Sequence, residues 1–513
     1  MNEKLKRKLG WRILRWILIG VAVLVTLAGV LVTEENWRGK RAWENYKHAA
    51  EARGERFDLT SVIPSPVPDD QNFFCAPIVA EALNSLPKQD PNTLALHATA
   101  VTNRMRFNMY RGDAENWPKH GGYWQKGKLT DLNEWQTYFR TYNASDEGKT
   151  NGFPATARPQ TPAADILLAL SVFNPALEEL RQASERPYAR IPLDYENGFE
   201  AANELFPWLA EMKRGAQFLQ LRILAELQNN QSQQALDDIK LLLRFNDSLR
   251  EQPFLISQLV RMAIMTITLQ PIYEGLAQHC WTDAQLQELE QALAKQDFLA
   301  DFEFAMKGEK AFAIQTFEQQ RLTREEKMMM ENNGTNKTVT ISYHFMPSAY
   351  FYQNELNFAQ MHDQFISPLV DLTKRMVFPA ALTKAQATVQ AQTKHYSPYT
   401  VQAKMVFPAI AASIKKFTII QAHVDLARVA CALERYRLAH GKYPEALDTL
   451  APQFIATLPH DIINGQPLHY RREADGRFVL YSVGWNETDD GGQVALKKGG
   501  SVDQEKGDWV WKY

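Results

Sequence analysis

Residues 417–447 read FTIIQAHVDLARVACALERYRLAHGKYPEAL. Ile420, Val424, Ala427 and Cys431 recur at helical spacing, as do Leu426, Ala430, Leu433 and Tyr436. The two stripes together cover most of a helix, which must therefore be buried against other elements. Gly441 supplies the left-handed residue that ends such a helix, and Pro444 prevents its resumption. EALDTLAPQFI (445–455) reads as a second short helix. PLHYRR (467–472), GRFVLYSV (476–483) and DWVWKY (508–513) read as strands, with Asp475-Gly476 as the tight turn between the first two. A helix laid across a small antiparallel sheet is expected, because one face of that sheet needs covering.

Upstream, residues 199–320 are the most regular part of the chain. FPWLAEMKRGAQFLQLRILAEL, QSQQALDDIKLLLRFNDSLR, PFLISQLVRMAIMTITLQPIYEGLAQH and the run from Thr282 to Gln320 are amphipathic. Their joints are short and polar: Asn229-Asn230-Gln231 is a turn, and Thr282-Asp283 with Gln285 is a cap. Short joints force neighbouring helices antiparallel, so the expected body is a stack of helical hairpins. Met262, Ile264, Met265, Ile267 and Leu269 mark a helix buried on two sides. Residues 331–345 break the series as a loop or hairpin arm, and helices resume over 351–372 and 380–394. The predicted fold is mainly α, with a small C-terminal α+β domain carrying an antiparallel sheet.

The N-terminus is of another kind. Lys4, Lys6, Arg7, Lys8, Arg12 and Arg15 precede an apolar run from Trp16 to Val32, and Trp37 follows it. That run just reaches the roughly 17–25 residues needed to cross a bilayer as a helix. It is longer than a signal-peptide core, and LVTEENW is a poor cleavage site. An uncleaved, single-pass signal-anchor follows, its basic flank cytoplasmic and its bulk translocated, in a bacterial cell to the periplasm across the inner membrane. A charged juxtamembrane helix and three prolines in SVIPSPVPDD (61–70) read as a stiff spacer holding the next domain off the bilayer. The expected organisation is 1–36 anchor, 37–71 juxtamembrane helix and spacer, 72–198 aromatic-rich mixed region, 199–400 helical-hairpin body and 401–513 long helix with the α+β domain.

The 513 residues carry a formal net charge of −2, so no general basic field exists to attract nucleic acid. Cys75, Cys280 and Cys431 are scattered and form no zinc-type cluster; they read as buried thiols, a single disulfide remaining open. The sequence holds no GxSxG, HExxH, GxxxxGK[ST] or GxGxxG pattern of the kind that marks hydrolases, zincins or nucleotide sites. His460, Asp461 and His469 read as polar turn residues more readily than as an acid–base group. Glu303, Glu309 and Glu318 with Lys307 and Lys310 read as a charged helix face. The aromatics of residues 110–142 form either a small core or a ligand groove.

Tyr436, Gly441, Tyr443 and Pro444; Leu458, Pro459, Asp461, Gly465, Pro467 and Tyr470; Leu480, Tyr481, Ser482 and Gly484; and Asp489, Asp490, Asp503, Asp508 and Trp509 follow one another in a recognisable order. In that order the terminal region resembles the globular head of type II secretion major pseudopilins. Ile462 stands where that family has proline, and Arg15 occupies the fifth position after Gly10, where the family's peptidase signal has glutamate. The likeness thus covers the head alone. As a whole the chain resembles large envelope proteins of planctomycete and verrucomicrobial bacteria, a likeness that implies location and no activity. The pseudopilin likeness implies calcium in the acidic C-terminal loop, with Asp489, Asp490, Asp503 and Asp508 as ligands, oxygen donors of the type calcium takes. The expected function is protein binding or scaffolding in the envelope, linked to secretion, with a probable protein partner. The second reading is a periplasmic hydrolase working in residues 110–142.

Overall fold

A computed structural model describes residues 3–85, 88–89, 96–97, 103–119, 121–195, 199–321, 346–393 and 397–513. The loop or arm expected over 331–345 lies outside the described residues. The fold is mainly helical, with a long apolar N-terminal helix and a small antiparallel sheet at the C-terminus.

Helix α1 (Glu3–Ala52) runs for 50 residues without interruption. Its apolar stretch is wholly exposed and is long and apolar enough to cross a membrane. Two later helices meet the same length and composition, but more than half of each apolar window is packed inside the protein. The second half of α1 lies on the body. SVIPSPVPDD does not lift the body away: Leu59 and Val62 are buried in the main core, and Arg190 Nε donates to the Pro64 carbonyl. The prolines shape a strap along the surface.

Helices α2 (Pro77–Asn84), α3 (Leu132–Ala144), α4 (Asp146–Asn151), α5 (Pro162–Leu170) and α6 (Asn174–Ser184) form the mixed region. Asp131 caps α3, its carboxylate accepting from Asn133 N–H as its position before the apolar run requires. Trp124, Trp135, Tyr138, Phe139 and Tyr142 are buried, and Tyr110, Trp117 and Tyr123 are half-buried, so most of the aromatic side chains of this stretch are core. The body follows as α7 (Phe199–Gln228), α8 (Ser232–Ser248), α9 (Leu255–Ala277), α10 (Asp283–Ala294) and α11 (Phe298–Gln320). The α7–α8 joint turns on Asn230 in the left-handed region (φ 57°), and Thr282 with Gln285 makes a reciprocal capping box on α10. The run read as one from 282 to 320 is broken at Lys295–Asp297, where Asp297 caps α11 through Ala300 N–H.

Helix α12 (Ser348–Met361) continues into a π-helical turn, His362–Ile366, and a short β-pair closes the segment where a longer helix was expected. The segment tightens into a 3₁₀ turn, Ser367–Leu369, and ends there, since Pro368 has no N–H with which to continue the helical ladder. Helix α13 (Pro379–Thr393) and the 40-residue α14 (Val401–His440) complete the set. Gly441 caps α14 at φ 74°. The expected second helix at 445–455 is reduced to a single 3₁₀ turn, Leu447–Leu450, because Pro452 follows at once.

The two-residue strands β1 (Lys88–Gln89), β2 (Leu96–His97), β3 (Val370–Asp371) and β4 (Met376–Val377) pair locally. The terminal sheet has β5 (His469–Arg472), β6 (Phe478–Ser482) and β9 (Trp509–Lys512) in the order β5-β6-β9, all antiparallel, beside a hairpin of β7 (Val494–Leu496) and β8 (Val502–Gly507). Leu480 pairs with Trp511 and Tyr481 with Val510. Leu480 and Trp511 face the main core, whereas Tyr481 and Val510 join Val479 in a second small core. Helix α14 belongs to both parts: it packs on α9, α10 and α11 and also meets β6 and β9. Trp511 is fully buried against Trp124 (4.9 Å between ring centres) and Tyr273 (5.5 Å), which locks the mixed region, α9 and the sheet together.

His423 of α14 sits in this junction, buried, 4.7 Å from the Trp124 ring. Burial alone pushes its imidazole down to about 3. The unfolded chain binds the proton more readily below about pH 6.5, so stability falls with pH from there until the folded group titrates. The loss is about 1.4 kcal/mol per pH unit. In denaturant titrations of full-length protein in detergent, the stability of His423→Gln relative to the parent should rise by this slope as pH falls from 6.5 to 4.

Candidate functional site

The end of α1 sets up a polar cluster that borders a surface cleft. Gly54 adopts φ 90°, the left-handed conformation that closes a helix. Glu55 N–H then reaches the Ala50 carbonyl and Gly54 N–H the Glu51 carbonyl, a complete Schellman stop. The chain reverses there, returning Glu55 and Phe57 to the helix they have just left. Phe57 packs edge-on against Trp43 (5.7 Å), in a small core with Ala50, Ile314 and Ala359.

Lys310 of α11 enters this corner from the body. Its ammonium donates to Glu55 Oε2 (2.7 Å), Asp363 Oδ1 (2.7 Å) and Tyr46 Oη (3.4 Å), which uses its three donors. It also lies over the Phe57 ring at 5.2 Å. Tyr46 donates to Asp363 Oδ2, and Arg53 pairs with Glu55 at 3.0 Å. Two cations therefore face two carboxylates. Burial pushes the Asp363 carboxyl up, but the hydrogen bonds it receives and the Lys310 charge prevail and hold it well below the usual range. Burial and the Asp363 charge drive the Tyr46 phenol well above its ordinary value. His362, beside Asp363, is buried and held neutral by burial and by the Lys310 charge. Neither of its ring nitrogens has a hydrogen-bond partner.

Asp363 continues the stripe of Tyr352, Leu356 and Ala359 by which α12 faces α1, and it stands at the start of the π-helical turn. A second carboxyl supports the joint about two turns earlier on α12: Glu355, fully buried, accepts from Arg321 Nη2 at 3.1 Å. Burial pushes it up to about 7 in spite of that arginine. Outside the joint a cleft of about 430 Å³ opens, bordered by Lys47, Glu51, Glu55, Arg56, Asp58 and Glu318. Carboxylates outnumber cations four to two on this rim. Lys310, charged and triply bonded, is no nucleophile, so the arrangement is suited to holding parts together and to receiving a basic group.

The residues singled out from sequence lie elsewhere. Asp508 is buried and accepts from Asp490 N–H and Gly492 N–H. Asp489 accepts from Gly491 N–H and from the Tyr481 hydroxyl, and Asp490 bonds Asn486. Asp503 stands on β8 and accepts from Glu505 N–H. Among the described residues no three His, Cys, Asp or Glu side chains are arranged to hold a metal ion. The acidic loop spends several of its oxygens on its own backbone and side chains. Asp461 is buried instead of exposed at a turn, and accepts from Ile463 N–H, Ser482 Oγ and Val483 N–H, all at 2.9 Å. It pins the corner before β5 to the end of β6. His469 stacks on Tyr481 (4.8 Å), and His460 lies within 3.3 Å of the Arg375 carbonyl. Cys75, Cys280 and Cys431 are free thiols; Cys431 is buried and the other two are half-buried.

The sequence reading missed Lys310 as a joint residue. Lys307 does pair with Glu303 on the surface, but Lys310 falls on the buried stripe of Phe302, Met306, Ala313 and Phe317. A lysine in register with an apolar stripe is the signal that could have found it. No protein-family model, curated protein or solved structure matches this chain.

Removing Lys310 strands two half-buried carboxylates, Glu55 and Asp363. Lys310→Met should destabilise the full-length protein by about 3 kcal/mol, measured by denaturant unfolding in detergent. Glu355 titrates in the opposite sense to His423. Its folded value is raised, so its contribution is fully present below about pH 4.5 and is lost as pH rises through about 7. Glu355→Gln should remove that dependence, leaving the variant more stable than the parent at pH 8 by about 3 kcal/mol.

Proposed function

We propose that this is a single-pass, membrane-anchored scaffolding protein of the bacterial envelope. In this reading α1 crosses the inner membrane with its basic flank in the cytoplasm, and the helical body and terminal sheet lie in the periplasm. The observation that carries it is the continuity of α1: one unbroken helix leads from the exposed apolar stretch to the Lys310 joint. A flexible tether would suffice to keep an enzyme near a membrane. A rigid helix locked into the body instead holds that body in one pose, which is what presentation to a partner needs.

The partner is a protein bearing a basic segment, which the acid-rich cleft beside Glu51, Glu55 and Asp58 would take. The pseudopilin likeness of the sheet supports a place near secretion machinery. Most of the residue 110–142 aromatics are spent on the core, which supports the scaffolding reading over the hydrolase one.

Membranes from cells producing the full-length protein should retain it under alkaline carbonate. A photocrosslinking residue at Glu51 or Asp58 should give discrete adducts, which basic peptide suppresses at low salt and which weaken as ionic strength rises. Crosslinks that are absent at both positions, or insensitive to salt, would sink the cleft as the partner site.

A further inference from the structure

We infer that the body rests directly on the bilayer, its α1–α12 end seated in the phospholipid headgroup layer. The inference builds on α1 crossing the membrane. Helices α1 and α12 run parallel: Asn36 accepts from Ala349 N–H, Gly39 lies against Ala349 and Tyr352, and Tyr46 reaches Asp363. The start of α12 therefore points towards the apolar stretch. That stretch ends at Val32, and Asn36 is four residues on, about 6 Å along a helix axis. The headgroup layer on each side of a hydrocarbon core is about 5–8 Å deep. The first contact between body and anchor thus falls inside that layer.

The side chains at this level suit it. Gly39 has no side chain, which lets α12 approach α1 closely where the two helices first meet. Trp37 is 59% exposed and Met346 39% exposed, two large apolar residues that water would cover at a cost and lipid would not. Helical side chains lean towards the N-terminus, which here is towards the bilayer. Arg41 does so, its guanidinium lying over the Trp37 ring at 5.3 Å. A tryptophan with a guanidinium above it is the combination that an interface of acyl chain and phosphate accommodates. Trp37, Arg41 and Met346 are the residues that touch lipid, and the cleft by Glu51 and Asp58 stands clear of it on the far side of the joint.

The test places a fluorophore at Ser348→Cys, in a full-length chain with Cys75→Ser and Cys280→Ser, inside nanodiscs carrying a nitroxide on the lipid headgroup. Quenching there should exceed by at least about threefold that of the same fluorophore at His48→Cys, which lies about 24 Å beyond Val32 on α1. Equal quenching at the two positions, or none at residue 348, would overturn the inference while leaving the anchor intact. Failure of the chain to enter nanodiscs at all would remove the anchor and this inference together. Trp37→Ser combined with Arg41→Ser should lower quenching at residue 348; an unchanged value would show that these two side chains do not seat the body.

Discussion

A buried ammonium has three donors and no acceptor, so it is tolerated only where oxygens from its surroundings converge on it. Lys310 meets that requirement with groups from three places: Tyr46 on α1, Glu55 just after it and Asp363 on the π-helical turn. Each is an element that could otherwise move against its neighbours. The Schellman stop at Gly54 turns Glu55 back into reach, and Asp363 extends the stripe of Tyr352, Leu356 and Ala359 that already faces α1. The stop makes sense as the geometry needed to satisfy one charge. The position of the membrane-side helix on the body follows from that charge and from the small Trp43–Phe57 core around it.

Legibility from sequence differed between elements for physical reasons. Periodic apolar spacing, caps and glycine stops are local, and the helices of the body, the Thr282 box, the Gly441 stop and the Asp475-Gly476 turn could be read one at a time. Breaks set by single residues were harder: Pro452 reduced an expected helix to one turn, and Asp297 divided a run that looked continuous. The joint was nearly invisible because its members are 46, 55, 310 and 363 in the chain, and nothing local links them. Its one trace was a lysine in an apolar stripe, and counting charges along α11 assigned that lysine to the solvent face.

The acidic loop shows two competing uses of the same oxygens. Asp489, Asp490, Asp503 and Asp508 are of the type calcium selects, and composition alone supports such a reading. Carboxylates in a glycine-rich turn have a competing use, however, because each left-handed residue leaves backbone N–H groups pointing inward. Asp508 takes two of these and Asp489 one, with the Tyr481 hydroxyl besides. Ligand type restricts which ions a site could hold; only the direction of lone pairs says whether there is a site.

The same distinction bears on the terminal sheet. Asp461 ties the corner before β5 to the end of β6, Tyr443 donates to Glu434 of α14, and Trp509 lies in the main core. These are among the residues that carry the pseudopilin likeness, and each has an internal task in building this sheet on its helix. A likeness carried by such residues describes an architecture and can persist when the surface, and with it the partner, has changed. Helix α14 makes the point stronger. Its other faces pack on α9, α10 and α11, so the sheet is built on a helix that the body already requires and has no edge along which to separate as an independent head. Whatever the protein presents, it presents with sheet and helical body joined through α14.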